Sequence, residues 1–239
     1  MINFFRKIRQ KLFVENRFSK YLLYAIGEIV LVMIGILLAL QVNNWNEAKK
    51  EHQLETEILN NILLNMESDL ISLDSCIAEN KKQIIGSVKV LEQLNNDLPL
   101  TDSLRYYYAR LSVEARFSPN TVGYDNLRSM GINIIRNEHL KKEISELYGH
   151  NYFKVVDQIR INSDIVRRRL INEMNDNLNL MIPAVKVEPI NSNELRHNFQ
   201  FINAVRNEKL FLEWSNKWYN IGKEEIELVA RSIRNELEK

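Results

Sequence analysis

The chain has 239 residues, 45% of them hydrophobic, with 32 basic and 31 acidic side chains and one cysteine. A net charge of +1 excludes nucleic acid as a partner held by bulk charge, and the lone Cys76 excludes an intrachain disulfide, so the fold is held by packing. Seven glycines and four prolines are too few to punctuate many strands and turns, which points to long helices.

The chain opens with MINFFRKIRQKLFVENRFSKY, in which Ile2, Phe5, Ile8 and Leu12 share one helical stripe while Phe4 and Phe13 flank it. Arg6, Lys7, Arg9 and Lys11 crowd the other surface, the pattern of a helix lying in the headgroup layer of an anionic inner leaflet. Residues 1–20 thus read as a cytoplasmic basic amphipathic segment, a membrane-surface foot or simply a topology signal. It is too short, and too close to the bilayer, to read as a nucleic-acid binder.

Residues 21–42, YLLYAIGEIVLVMIGILLALQV, carry Glu28 as their only formal charge. As a helix this run rises about 33 Å, enough for a hydrocarbon core of roughly 30 Å, and it reads as a single transmembrane helix. The six basic residues before it, set against Glu15 alone, place the N-terminus in the cytoplasm and residues 43–239 outside it. Tyr21, Tyr24 and Trp45 stand at the interfaces. A cleaved signal peptide is the competing reading, but the run exceeds a signal core and LLALQVNNW offers no small-x-small site.

An ionisable group in hydrocarbon costs several kcal/mol unless it is neutral, paired or solvated. Glu28, Gly35 and Ala39 fall at i, i+7 and i+11, one face carrying the acid and a small-xxx-small pair, which suits a helix-packing seam and a homo-oligomer through the span. Proton-coupled work at Glu28 is the sharper alternative. Snorkelling is the blander one, since Glu28 lies about 10 Å along the helix from Tyr21.

Residues 43–239 balance 26 basic against 29 acidic side chains. From Asn46 to Asn95, Leu54, Ile58, Ile62, Met66, Leu70, Leu73, Ile77, Ile84, Val88 and Leu91 recur at steps of three, four or seven, so the spacing predicts a long helix continuing from the span. NNDLPL makes a turn, Thr101 or Asp102 caps a short helix over SLRYYYARLSVEARF, FSPNT breaks it, and another helix follows around Val122 to Met130. Asn137 caps a long helical region that reaches Leu180 with a bend near Gly149. IPAVKVEPINSN reads as a loop, Asn193 starts a short helix, and Asn207 to Glu238 closes the chain with Phe211, Trp214, Trp218, Ile221, Leu228 and Ile233 inward. With no strand-like alternation, the expected fold is all-α, an antiparallel helical bundle after one transmembrane helix.

MINFFRKIRQKLFVENRFSKYLLYAIGEIVLVMIGILLALQVNNWNE resembles the N-terminus of an uncharacterised family of Gram-negative bacterial single-pass membrane proteins, classed as a domain of unknown function. YDNLRSMGINIIRNEHLKKEISELYGHNY and FINAVRNEKLFLEWSNKWYNIGKEEIELVARSI are similar to two further stretches of it. The resemblance implies an inner-membrane protein with a periplasmic helical domain and supplies no catalytic residues.

HExxH, CxxC, GxxxxGK[ST] and GxSxG are all missing, so no enzyme signature and no cofactor is indicated. His139, Glu143, Glu146 and His150 share a helical stripe but lack the Glu-x-x-His spacing of bundle metal sites and flank the apolar Leu140, Ile144 and Leu147, which marks them as a solvated edge. Cys76 reads as a small buried hydrophobe, the tyrosines of RYYYAR as part core and part surface, Trp214 and Trp218 as core, and Arg167, Arg168 and Arg169 as a solvated basic face. The expected function is a membrane-anchored periplasmic interaction or scaffold protein that engages the lipid bilayer and an unknown protein partner. A sensor or proton-coupled accessory subunit using Glu28 is the alternative.

Overall fold

The structure, a computed structural model, describes residues 18–182 and 185–239. Arg6, Lys7, Arg9 and Lys11 lie outside the described residues. Helix α1 runs uninterrupted over Phe18–Asn95. By compactness the chain divides within it, residues up to Glu55 forming one unit and Thr56–Lys239 the other.

In the first unit the large apolar side chains of α1, among them Leu22, Leu31, Leu37 and Val42, are exposed. Among the described residues this is the one helix long and apolar enough to cross a membrane. An uncovered apolar surface of this extent is unstable in water, whereas lipid would cover it.

In the second unit α1 buries Ile58, Ile62, Met66, Leu73 and Ile77, and half-buries Leu70, Ile84, Val88 and Leu91, so the predicted periodicity is its core face. Helix α2 (Asp102–Arg110) is capped by Thr101, whose hydroxyl accepts from the Leu104 N–H at 3.2 Å. Helix α3 (Val122–Met130) stops at Gly131, whose φ of 104° is open to glycine and strained for other residues. A 3-10 turn (Ile132–Ile134) leads to α4 (Glu138–Glu146), capped as predicted by Asn137 through His139 N at 3.1 Å and Leu140 N at 3.2 Å. At the predicted bend a π turn (Leu147–Asn151) surrounds Gly149 and joins α4 to α5 (Tyr152–Asn177).

Helix α5 ends at Asn177, short of the expected Leu180, and the residues after it pair with part of the segment read as a loop to form a hairpin. Strand β1 (Leu178–Ile182) pairs antiparallel with β2 (Lys186–Pro189), with Leu178 opposite Pro189 and Leu180 opposite Val187. The alternation in β2 is short, with Val187 and Pro189 buried and Lys186 and Glu188 half-buried, and Pro189 ends the strand, where its missing N–H is tolerated. The Arg105 guanidinium of α2 ties the hairpin down through Glu188 at 2.8 Å.

Helix α6 (Ser192–Leu195) is capped by Asn191 rather than starting at Asn193. Helix α7 (Phe199–Leu237) is capped by Asn198 and so begins before the expected Asn207, which is an exposed position inside it. Of the residues expected inward Ile233 is buried, and the rest of the inward face is rotated from the expected one. Leu212, Ser215, Tyr219, Gly222, Ile226, Ala230 and Ile233 are buried, Ile221 and Leu228 are exposed, and Phe211, Trp214 and Trp218 are half-buried. At Gly222 the inward face lies against Val155, from which an added Cβ would stand 3.4 Å, an ordinary van der Waals contact.

Polar pairs fix the helix directions in this unit. Glu67, Asp74 and Asn80 of α1 meet Arg234, Lys223 and Asn216 of α7, so α7 runs back along α1. Asn151, at the end of the π turn that leads into α5, and Arg167 of α5 meet Glu225 and Glu208 of α7, so α5 and α7 are also opposed. Tyr108, Leu170, Val187, Leu195, Phe201 and Val205 gather α2, α5, the hairpin, α6 and α7 into one apolar cluster.

The closest approach is at Gly123, where an added Cβ would stand 2.8 Å from Asn65 Oδ1 and 3.1 Å from the Ile62 backbone N, while the Gly123 N–H donates to that Asn65 oxygen at 2.7 Å. Gly123→Ala is therefore expected to lower stability by about 1–3 kcal/mol in denaturant titration, as overpacking does. Gly149→Ala, where a Cβ meets nothing within 4 Å, should change it by less than about 0.5 kcal/mol.

Candidate functional site

Helix α2 stops at Arg110, short of the expected Phe117, and the residues from Val113 to Asn120 form a strap that is neither helix nor strand, so their backbone polar groups need other partners. Polar side chains of the surrounding helices provide them. Gln83 Nε2 donates to the carbonyls of Val113 and, at 3.5 Å, Leu111. Arg167 donates to the carbonyls of Ser112 and, at 3.2 Å, Val113. The Tyr219 hydroxyl donates to Ala115 O at 3.5 Å, and the Asn120 N–H donates to Asp69 Oδ1 at 2.9 Å. The other oxygen of Asp69 accepts from Tyr152 at 2.7 Å, and burial holds its carboxyl above the usual range against both hydrogen bonds. This strap requirement explains why Asp69 and Gln83 are buried on the apolar face of α1.

The strap, α1, α5 and α7 enclose a cavity of about 120 Å3. Phe117, Val156, Ile159, Phe211, Leu212 and Tyr219 supply apolar and aromatic wall, and Glu114, Ser163, Arg167 and Glu208 supply polar wall. Glu114 is saturated: Arg167 Nε reaches one oxygen at 3.0 Å, while Arg116 Nε and the Ser163 hydroxyl reach the other at 2.5 Å and 3.3 Å. Glu208 is not. It is 2% exposed, its Oε1 stands 3.6 Å from Arg167 Nη1, beyond good hydrogen-bond length, and its Oε2 has no partner. Burial pushes its carboxyl from 4.5 up to about 7, with Arg167 pulling down and Glu114 pushing up. Burial likewise pushes Tyr219 up to about 12. The cavity thus holds a carboxyl that exchanges its proton near neutrality beside a fixed guanidinium.

The residues singled out beforehand fall elsewhere. Glu28, Gly35 and Ala39 are on exposed surface of α1 in the first unit, and a Cβ on Gly35 would meet nothing within 4 Å. His139 reaches Glu143 at 3.4 Å, but the π turn inserts a residue before His150, so the four-residue row does not continue as one stripe. Among the described residues no group of three or more His, Cys, Asp or Glu could hold a metal ion. Cys76 is buried, and burial pushes its thiol up. Of the three tyrosines, Tyr106 is exposed, Tyr107 half-buried and Tyr108 buried against Gln93 at 2.7 Å.

Arg167 corrects the solvated-face expectation, because only Arg168 and Arg169 are exposed while Arg167 turns in to the strap. Adjacent helical residues point about 100° apart, so a run of three arginines need not share an environment. Glu208 was missed altogether, although Val205, Glu208, Leu212, Ser215 and Tyr219 fall at steps of three and four and mark it as an inward position.

A family model described as "Family of unknown function (DUF6090)" matches residues 28–215, most of the chain, including the strap and the cavity walls up to Ser215. The chain belongs to this family. No curated protein and no solved structure matches it. The DUF6090 match carries no activity, so the site is argued from its own geometry.

A carboxyl whose folded value is raised binds its proton more readily in the native state, so its stabilising contribution is complete below pH 4.5 and is lost as the pH rises to about 7. The thermal midpoint of Glu208→Gln is accordingly expected to fall less than that of the wild-type protein across this window; parallel curves would contradict the burial of an unpaired carboxyl. Arg167→Lys should lower stability by about 2–4 kcal/mol, because one ammonium cannot replace a fork that serves two carbonyls and two carboxylates.

Proposed function

We propose that this member of DUF6090 is a membrane-anchored interaction or scaffold protein without catalytic activity, acting through self-association. In this reading residues 21–42 cross the bacterial inner membrane, the basic N-terminus stays in the cytoplasm on the inner leaflet, and the C-terminal unit is an antiparallel helical bundle in the periplasm. The polarity follows from the excess of basic residues before the span, and the apolar exposed run of α1 supports the anchor.

The observation that carries the interaction role is a solvent-facing stripe on α1 in the second unit. Leu64, Ile71 and Ile85 are exposed by 62, 72 and 52%, and exposed Ala78 completes a spacing of seven. Ser68 and Ser75 lie between them, small enough to let another helix close in. Apolar residues repeating every seven positions match a left-handed helix pair, and this face is opposite the buried Ile62, Met66, Leu73 and Ile77. A second copy is the fitting occupant: anchoring by the same helix gives every copy one orientation in the bilayer, so identical stripes meet side by side.

Full-length protein labelled for energy transfer and diluted in lipid vesicles tests this. Leu64→Lys with Ile71→Lys should weaken association at least tenfold, about 1.4 kcal/mol, while Ile221→Lys on exposed α7 surface should not. Association of the double variant at wild-type strength would sink the reading. Glu28→Gln should leave insertion and folding intact, and it abolishes function only under the proton-coupled alternative.

A further inference from the structure

The cavity between α1, the strap, α5 and α7 has a chemistry that self-association does not use. Glu208 reaches into its wall at 2% exposure, with Oε2 unpartnered and Oε1 held 3.6 Å from Arg167. Every other charged group of the cavity is already engaged: Glu114 by Arg116, Arg167 and Ser163, and Arg160 by Asp157 at 2.9 Å. The α1 wall contributes the uncharged Asn80 and Gln83. A buried carboxylate oxygen with no donor is costly, and a ligand that supplies one donor recovers that cost.

The remaining wall says what body the donor sits on. Phe117, Phe211 and Tyr219 with Val156, Ile159 and Leu212 suit a small ring or branched chain. The volume of about 120 Å3 is a little below that of an apolar protein cavity of ~150 Å3 that takes benzene. Three arginines against two carboxyls leave no charge deficit for a cation, and Glu208 repels an anion. Arg116 and Arg160, whose side chains are 63 and 60% exposed, mark the solvent side through which a small molecule would enter.

We propose that this cavity binds a small, uncharged, largely apolar molecule of about six to eight non-hydrogen atoms that presents one O–H or N–H donor to Glu208, as in a phenol, alcohol or primary amide. The donor is held better by the ionised carboxylate than by the protonated one, so binding strengthens as Glu208 loses its proton. The groups facing Glu208 are Arg160 and Arg167 on α5, Glu114 and Arg116 on the strap and Tyr219 on α7. Of these, Tyr219 is pushed up to about 12 and stays neutral in the working range, whereas Glu208 titrates at about 7. Glu208 therefore sets the pH dependence.

Calorimetric titration of the full-length protein in lipid nanodiscs with phenol, benzene and benzylamine tests the site. Phenol should bind saturably at one site per chain, at least about tenfold more tightly than benzene, which has the same body and no donor. Its affinity should rise between pH ~6 and ~8, and in Glu208→Gln that rise should vanish. Val156→Phe, filling the cavity from a half-buried position on α5, should abolish phenol binding without lowering the thermal midpoint. Equal affinity for phenol and benzene, tighter binding of benzylamine, a pH profile unchanged in Glu208→Gln, or no binding of any probe up to about 10 mM would each overturn the assignment. The stripe variant with Leu64→Lys and Ile71→Lys should keep phenol binding, which separates this site from self-association.

Discussion

The fold of the second unit depends on one inward-turned guanidinium. Arg167 sits where a strap without secondary structure crosses the helices, and it donates to the carbonyls of Ser112 and Val113 while meeting the carboxylates of Glu114 and Glu208. Unpaired backbone carbonyls in such a place would each cost about 1–3 kcal/mol. A planar fork of five donors on a stem long enough to reach from α5 removes that cost, and no other side chain offers the same geometry. Glu208 is the residue left short by the arrangement, because a guanidinium committed to two carbonyls and Glu114 cannot also approach it closely.

The same need for partners explains the polar residues in the core of α1. Asp69 stitches Tyr152 to the backbone of Asn120, Gln83 holds the strap beside Arg167, and Gln93 receives the Tyr108 hydroxyl. Each tie joins α1 to a different part of the chain, so the polar positions set the register of the packing where apolar contacts alone would permit sliding. Small residues on α7 complete it: Gly222 admits Val155, and Ser215 satisfies its own hydroxyl on the Phe211 carbonyl. The cavity remains between a strap that cannot compact and helices held apart by its anchors.

The first unit obeys a different constraint. Its apolar side chains are exposed along α1 and meet no protein core, so they require a non-aqueous surrounding. The second unit has a water-facing surface in which Leu64, Ile71 and Ile85 stand out as a repeat. One helix, Phe18–Asn95, therefore carries exposed apolar surface along its first stretch, and along its second both a core face and an exposed apolar repeat opposite it.

Local pattern determined a good deal. Apolar spacing marked the core face of α1, Thr101 and Asn137 marked helix starts because their side chains accept from the next turn, and an apolar run marked the stretch of α1 that is long and apolar enough to cross a membrane. These features depend on residues a few positions apart, which a sequence displays directly. The hairpin was not legible, because β2 is only four residues long with alternating burial, and its partner is defined only by pairing across the turn. The face of α7 was misread in part because Ile221 and Leu228, apolar and in helical register, are exposed while Leu212, Tyr219 and Ile226 are buried, a choice made by what packs on the helix in space. Arg167 and Glu208, far apart in the chain, acquired their roles only when the strap ran between α5 and α7. Hydrogen bonding to an irregular backbone and the desolvation of a carboxyl depend on what surrounds a residue in space, and that was decided by the tertiary structure alone.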